Sequence, residues 1–191
     1  MNLADEWLTD TSFPEQVRRE EAQTIINALT GCIRTPYPLA QKRQVLEADE
    51  APEGYEGDFT RDQEALREEQ LVRRTVFTEF SRRLAAVAES NKTGNEESHH
   101  AVPPISPTWA DLRFDFGGAP IFYPLQQLYF QNANFASATF YGPADFSGAT
   151  FHGDTSFSAA QFTADASFQG ANFTNWVGFS AAHFAGAAEF S

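Results

Sequence analysis

Residues 146–173, FSGATFHGDTSFSAAQFTADASFQGANF, carry a phenylalanine at every fifth or sixth position. Small residues fill most of the positions between the rings. From residue 140 onward the two steps alternate, so the repeating unit has eleven residues. A fixed period of this kind predicts a stacked repeat, in which each unit contacts only its neighbours. The phenylalanine ladder, which we expect to form the core of this region, is Phe130, Phe135, Phe140, Phe146, Phe151, Phe157, Phe162, Phe168, Phe173, Phe179, Phe184 and Phe190.

The spacing and the composition together favour a β-solenoid. An eleven-residue period also suits a right-handed helical supercoil, but Gly, Thr, Ser, Asn and Phe are poor helix formers. Collagen and flexible linkers do not require a regular Phe. In an extended chain residues i and i−2 point the same way. We therefore expect a small inward residue two positions before most rings, namely Ala133, Ala138, Ala144, Ala149, Thr155, Ala160, Ala166, Ala171, Val177, Ala182 and Ala188.

Several units resemble the pentapeptide-repeat family, whose unit is A-(D/N)-(L/F)-x-x. ANFAS (133–137), ADFSG (144–148) and ANFTN (171–175) match that pattern directly. The resemblance covers about residues 114–191 and implies a right-handed, quadrilateral β-helix. The extra residue in every second unit departs from the family and predicts a coil of 22 residues.

The first half of the chain predicts helices, which makes the fold class α+β. Ser12 with Glu15, and Thr60 with Gln63, have the spacing of capping boxes, and the TPYP stretch (35–38) ends the helix between them. Asp5–Leu8 predicts a short first helix, and residues 39–59 a further short helix with an acidic loop. Two apolar faces are expected, one of Ala22, Ile25, Ile26, Leu29, Cys32 and Ile33, and one of Leu66, Val72 or Arg73, Val76, Phe77, Phe80, Leu84 and Val87.

These patterns divide the chain into a helical segment (1–90), a polar and proline-rich linker (91–110) and a pentapeptide-repeat solenoid (111–191). Three stretches resemble the helical segment that precedes the repeats in many actinobacterial pentapeptide-repeat proteins, namely EAQTIINALTGCIRTPYPLA (21–40), REEQLVRRTVFTEFSRRL (67–84) and DLRFDFGGAPIFYP (111–124). In those proteins membrane helices usually come first. The resemblance therefore implies a fragment or short version of a longer protein, truncated in mid-repeat at the C-terminus.

Composition limits the classes of function. The formal net charge of −13 argues against direct binding to nucleic acid, which needs Lys and Arg to displace counterions. The one cysteine excludes an internal disulfide framework and fits a reducing compartment. No apolar run approaches the length of a membrane span, and the N-terminus lacks the basic start of a signal peptide. We therefore expect a cytoplasmic chain, although a longer parent protein could be membrane-anchored.

No motif predicts a catalytic, cofactor-binding or metal-ligating residue, so we expect a non-enzymatic protein without cofactor. Cys32 is expected to be a buried structural thiol, because it lies on an apolar helix face. An exposed Trp176 would be a modest indication of an interface. The other polar candidates are expected to be solvated, namely His99, His100, His152, His183, Asp145, Asp154, Asp165 and Glu189.

The sequence leaves several functions open. The leading hypothesis is a scaffold or protein–protein interaction module whose partner is an unknown protein. One alternative is an inhibitor that mimics DNA towards a topoisomerase, and another is the soluble part of a membrane-anchored protein. We also expect end-to-end self-association, because the C-terminal coil would leave unpaired strand edges and aromatic rings exposed.

Overall fold

The computed structural model describes residues 2–93, 109–125 and 128–191. The helical segment comes first and packs against the start of the repeats. Its helices are α1 (Asn2–Thr9), α2 (Glu15–Arg34), α3 (Arg43–Leu46) and α4 (Phe59–Thr93), with 3₁₀ segments at Pro38–Lys42 and Trp109–Asp111. None of the helices in these ranges combines the length and apolarity needed to cross a bilayer.

The two helix starts differ from the predicted capping boxes. The N-cap of α2 is Pro14, which offers no side-chain cap, and the Ser12 hydroxyl instead donates to Asp10 Oδ1 at 2.5 Å. At the start of α4 the Asp58 carboxylate accepts from the N–H of Arg61 at 3.1 Å, and Thr60 lies inside the helix. Both predictions are therefore wrong. In α2 the helix begins after Pro14 and Ser12 bonds to Asp10 instead, whereas in α4 the Asp58 carboxylate, a stronger acceptor than a hydroxyl, takes the capping position.

Burial on the helices follows the predicted apolar faces with one correction, and it decides one open alternative. Cys32 is exposed, so the predicted buried thiol is wrong. In the last turn of α2, Ile33 is buried against the core, whereas Cys32 lies on the outer side of the helix. On α4, Arg73 is buried and Val72 is 59% exposed, which decides between the two predicted alternatives. The side chain of Val87 lies outside the described residues.

The repeat region consists of very short strands joined by turns, as the sequence predicts. They are β1 (Phe114–Asp115), β2 (Pro120–Ile121), β3 (Tyr129–Gln131), β4 (Ala133–Asn134), β5 (Thr139–Phe140), β6 (Ala144–Asp145), β7 (Thr150–His152), β8 (Thr155–Ser156), β9 (Gln161–Phe162), β10 (Ala166–Ser167), β11 (Asn172–Phe173), β12 (Val177–Gly178), β13 (His183–Phe184) and β14 (Ala188–Glu189).

All the paired strands are parallel and form a β-solenoid of about three turns. Sheet 1 contains β1, β4, β8 and β12, and sheet 2 contains β2, β5, β9 and β13. Sheet 3 contains β6, β10 and β14, and sheet 4 contains β3, β7 and β11. Ala144 pairs with Ala166, and Ala166 pairs with Ala188, so these neighbours are 22 residues apart along the chain.

A tight turn follows the rings on sheets 1 and 3. In it the N–H three residues after the ring donates to the ring residue's carbonyl, as Ala160 does to Phe157 at 3.0 Å. The middle of this turn requires a left-handed backbone, which glycine adopts without strain. Gly148 and Gly170 occupy two of these positions, whereas Ala159 adopts φ 56° at an equivalent one.

Candidate functional site

The helical segment covers the first coil of the solenoid with aromatic rings. Phe77, on α4, stacks on Phe116 with ring centroids 4.4 Å apart and an interplanar angle of 25°. Phe80 meets Phe114 edge to face at 5.1 Å. Phe116 in turn stacks on Phe135 at 5.0 Å. The ring of Phe77 therefore extends a column of stacked rings that continues along the interior of the solenoid, which we call the bore. The helix therefore occupies the place that another coil would fill.

Side chains of the helices also pair with the backbone at this edge of the sheets. The Gln23 amide donates to the carbonyl of Arg113 at 2.9 Å and accepts from the same residue's N–H at 2.8 Å. The Gln70 amide donates to the carbonyl of Phe122 at 2.7 Å. These bonds replace those that a preceding coil would make, because an open strand edge leaves such groups unpaired.

Two further contacts complete this edge. The N–H of Tyr129 donates to the Ser81 hydroxyl at 2.6 Å. The Arg43 guanidinium donates to the carbonyl of Tyr141 and sits against Gly142, where an added Cβ would lie 1.9 Å from its Nη1. We call the set of Gln23, Arg43, Gln70, Phe77, Phe80 and Ser81 the helical cap.

A buried arginine fixes the helices to one another beneath this cap. Arg73 donates to the carbonyls of Ile33 and Thr35 at 2.7 and 3.0 Å, and so satisfies the C-terminal end of α2. Its Nε lies 2.7 Å from the Glu69 carboxylate. The guanidinium also lies 5.2 Å from the centroid of the Phe122 ring, which joins the helices to the first coil.

The N-terminal helix is held by an ionic contact. The Arg83 guanidinium donates to both oxygens of Asp5, at 3.3 Å to Oδ1 and 2.7 Å to Oδ2, and Trp109 Nε1 donates to Asp5 Oδ1 at 2.7 Å. Partial burial raises the pKa of the Asp5 carboxyl. The hydrogen bonds from Arg83 and Trp109 and the guanidinium charge together outweigh that effect, so this pKa lies below its ordinary value.

The phenylalanine ladder fills the bore, but its burial falls towards the C-terminal coil. The rings from Phe130 to Phe168 are at most 2% exposed. Phe173, Phe179 and Phe184 are half-buried, and Phe190 is 55% exposed. The predicted burial of Phe190 is therefore wrong, because its ring has a described coil on one side only. Near-parallel stacks join the coils, as in Phe135–Phe157–Phe179, Phe140–Phe162–Phe184 and Phe146–Phe168–Phe190, with centroids 4.5–5.1 Å apart.

Outward polar side chains in the solenoid bond to their own turns. Asp145 Oδ1 accepts from the N–H of Ser147 at 2.9 Å, and Asn134 Oδ1 accepts from Ala136 at 3.0 Å. The same asparagine donates to Asp115 Oδ1 at 2.8 Å on the neighbouring coil. A short acceptor just before the ring thus closes the turn two residues on. These bonds also hold the side chains of Asn134 and Asp145 against the turns.

The histidines predicted to be solvated have different environments. His183 is exposed on sheet 2. His152 is half-buried, its ring lies 5.3 Å from that of Tyr129, and its Nδ1 is 3.1 Å from the Thr174 hydroxyl. His99 and His100 lie outside the described residues. Within the described part of the chain, no group of three or more His, Cys, Asp or Glu side chains could hold a metal ion.

Trp176 forms a surface feature that the repeat pattern alone did not reveal. It is 56% exposed, and its ring lies over Gly178, where an added Cβ would come within 2.1 Å of Cη2. Gly178 is buried even though its register partner Ser156 is an outward residue. We call the ring of Trp176 together with Gly178 the Trp–Gly platform. The loss of the usual polar residue at Gly178 was the sequence signal that could have found it.

One concavity follows the junction of the helices and the solenoid. A groove of about 530 Å³ lies between the α3 region and sheet 2, lined among others by Gln44, Glu47, Pro143 and Thr163. Arg43 also lines it, but that guanidinium is already paired with Glu47 at 2.7 Å and with the solenoid backbone. Arg43 and Glu47, the charged residues of this groove, are therefore engaged in the contacts of the helical cap.

The parallel sheets, the ring-filled bore and the fixed register define the class of this protein as a parallel β-solenoid repeat protein with a helical segment before it. Residues 135–183 match the family model for pentapeptide repeats (9 copies). The match lies within the solenoid, and together with the parallel sheets it supports the pentapeptide-repeat family there. Comparisons with curated proteins and with solved structures found no match. The matched residues of the solenoid are thus similar to pentapeptide repeats.

Proposed function

We propose that the protein is a non-enzymatic scaffold or interaction module that presents the outer faces of its solenoid to another protein. The observation that supports the proposal is the contrast between the apolar interior of the solenoid and its polar outer surface. The large rings fill the bore, whereas the outer positions hold short polar side chains such as Asn134 and Asp145, already bonded to their own turns.

Such a surface suits recognition because little of it has to be ordered on binding. Fixing a rotamer-rich side chain at an interface costs roughly 0.5–1.5 kcal/mol. Asn134 and Asp145 are short and are already held by bonds to Ala136 and Ser147, so most of that cost is avoided. Flat parallel faces also resemble the extended binding surfaces that other repeat proteins use.

We also propose a right-handed, quadrilateral cross-section in which five- and six-residue units alternate. The order of the strands supports four sides, because from β4 onward the chain contributes in turn to sheets 1, 2, 3 and 4 before returning to sheet 1. The 22-residue separation of paired positions equals two eleven-residue units, as for Ala144 and Ala166. The solenoid (111–191), the helical segment (1–90) and the linker (91–110) remain our proposed division of the chain.

The resemblance to actinobacterial proteins with a helical segment and the cytoplasmic location are proposals as well. The exposed, free thiol of Cys32 supports a reducing compartment, because exposed cysteines oxidise readily elsewhere. Measuring the redox state of Cys32 by thiol alkylation in intact source cells tests this point. A fully reduced thiol is the expected result, and a largely oxidised one would contradict it.

We further propose that a second copy can stack on the coil formed by residues 169–191. The half-exposed rings and free strand edges of that coil offer the same bonds that the helical cap supplies at the other end. Light scattering across a concentration series should show association that grows with concentration. A monomer at all concentrations would contradict this proposal.

Affinity capture tests the proposed function. The full chain, immobilised through its N-terminus, is exposed to a lysate of the source cells, with heat-denatured chain as the reference. Two variants each add a positive charge to one face, Gln161→Lys on sheet 2 and Glu189→Lys on sheet 3. We expect a protein that the folded chain retains and that one of the outer-face variants loses. If the folded and the denatured chain retain the same proteins, the proposed function is wrong.

A further inference from the structure

The Trp–Gly platform combines two changes in one repeat. In the other eleven-residue units the residue before the small inward position is Pro143, Asp154, Asp165 or Ala187, and the outward residue two positions later is polar. In the fourth unit these positions are Trp176 and Gly178. The two changes depend on each other in the structure, because the indole occupies the space that any side chain at Gly178 would need.

Seating on Gly178 holds the indole in one orientation and leaves its outer face open, with the side chain 56% exposed. A large ring already held in place loses little freedom on binding, and tryptophan is enriched among the residues that dominate interface energies. The platform is therefore a pre-organised anchor, unlike Trp109, which is 5% exposed and donates to Asp5.

The charge around the platform indicates the chemistry of the partner. The chain has no Lys or Arg after Arg113, and its remaining ionised side chains in the solenoid are carboxylates. Asp154 lies beside the platform on the preceding coil, because the N–H of the next residue, Thr155, donates to the carbonyl of Trp176 at 2.9 Å. Asp154 is exposed, so its carboxylate is accessible to a ligand at this corner.

An exposed indole face next to an accessible carboxylate is complementary to a guanidinium. Arginine stacks on aromatic faces and pairs with carboxylates through two parallel hydrogen bonds, whereas the compact ammonium of lysine does neither as well. Tryptophan is the strongest aromatic partner for a cation. We propose that the Trp–Gly platform and Asp154 bind an arginine side chain presented by a basic segment of a partner protein. This proposal rests on the proposed function and names the chemistry of one contact.

Calorimetric titration of the full chain with short synthetic peptides tests the proposal. The probes are a peptide of alternating glycine and arginine and the same peptide with lysine. We expect the arginine peptide to bind about threefold or more tightly than the lysine peptide, because only the guanidinium can both stack and chelate. Tryptophan fluorescence should change on binding in the wild-type chain but not in Trp176→Ala, because Trp109 is buried and Trp7 packs against Phe13 in the helical segment.

Variants locate the contact. Trp176→Ala should weaken binding of the arginine peptide about tenfold and remove the preference over lysine. Gly178→Ser, which keeps the indole but unseats it, should weaken binding too, as should Asp154→Asn. Glu189→Gln removes the same charge from sheet 3 and should leave the affinity unchanged. Circular dichroism shows whether each variant is folded.

Equal binding of the two peptides, or unchanged binding by Trp176→Ala, would overturn the inference and leave only non-specific attraction to an acidic chain. Absence of any binding of the arginine peptide would overturn it as well. If the affinity capture still recovers a partner on a face of the solenoid in those cases, the proposed function stands and the assignment of the platform alone fails.

Discussion

The two ends of the solenoid differ in how they are closed. At the first coil, α4 adds the ring of Phe77 to a stacked column, and Gln23 and Gln70 pair with backbone groups that a preceding coil would otherwise bind. At the last coil Phe190 is 55% exposed, and β14 pairs on one side only. The difference teaches that the repeat supplies cohesion between coils, whereas non-repetitive residues must close an end.

Removing a ring should therefore cost far more in the middle of the bore than at the last coil. We expect Phe157→Ala to lower the free energy of unfolding by about 3–5 kcal/mol, since it empties a fully packed aromatic site. Phe190→Ala should cost about 1 kcal/mol or less, as is usual for exposed positions. Urea denaturation of both variants measures the two values, and equal losses would show that the last coil is packed as tightly as the interior.

The helical end of the molecule depends on the buried guanidinium of Arg73, whereas the described residues of the bore include no buried charge. Arg73→Met should lower the free energy of unfolding by about 3 kcal/mol, because it leaves the carbonyls of Ile33 and Thr35 unpaired. Arg82→Met on the same helix removes an exposed guanidinium paired with Glu79 and should cost less than about 1 kcal/mol. Thermal melts compare the two variants. A small effect of Arg73→Met would mean that water replaces its bonds.

Thr155 is a polar residue in the otherwise apolar bore. Thr155 is 1% exposed, and its hydroxyl has no partner among the described residues. Thr155→Val keeps the shape and removes the unpaired group, so it should raise the free energy of unfolding by about 1 kcal/mol.

Thr163→Val is the matched control, because that hydroxyl donates to the carbonyl of Phe140 and accepts from the N–H of Gly142, both at 3.0 Å. It should lower stability by about 1 kcal/mol. The midpoints of urea denaturation for Thr155→Val and Thr163→Val, each compared with the wild-type chain, measure the two changes in stability. A change of the same sign in both would contradict our assignment of the Thr155 hydroxyl.

Acid should weaken the helical end by a smaller amount and leave the bore unaffected. Because the folded pKa of Asp5 lies below its unfolded value of 3.8, its contribution is present above that value and is lost as the pH falls through the folded pKa. The carboxylate is 42% exposed, so solvent screening keeps the contribution below about 1 kcal/mol. Between pH 5 and pH 3 the wild-type chain should lose more stability than Asp5→Asn. Parallel profiles would contradict this.

The solenoid could be predicted from the sequence because one packing requirement recurs at every coil. The step from Phe140 to Phe162 is the step between stacked rings, and the alanines before the rings are buried wherever a coil covers them. Because every coil stacks on its neighbour in the same way, the same sequence pattern recurs in each coil. The exposure of Phe190 could not be deduced from that pattern, since the ring itself matches the repeat.

The helical segment was less predictable because each of its contacts occurs once. Periodicity on α4 left Val72 and Arg73 as alternatives, and the choice depends on the carbonyls at the end of α2, which are distant in sequence. Cys32 shares a periodic face with Ile33, yet only Ile33 meets the core. The Trp–Gly platform was missed in part for the same reason, because a single exception to a repeat shows its meaning only when Trp176 and Gly178 are seen together.

Hydrogen exchange followed by mass spectrometry on the dilute, monomeric chain compares the two ends in one measurement. Amides of the middle coil, such as those of Ala160 and Gln161, which donate at 3.0 and 2.8 Å, should open only with global unfolding. Those of β12, β13 and β14 should exchange much faster, and those of β1 and β2 beneath the helical cap should resemble the middle coil. Slow exchange in β14 equal to that of the middle coil, or fast exchange in β1 and β2, would contradict the account of one closed and one open end.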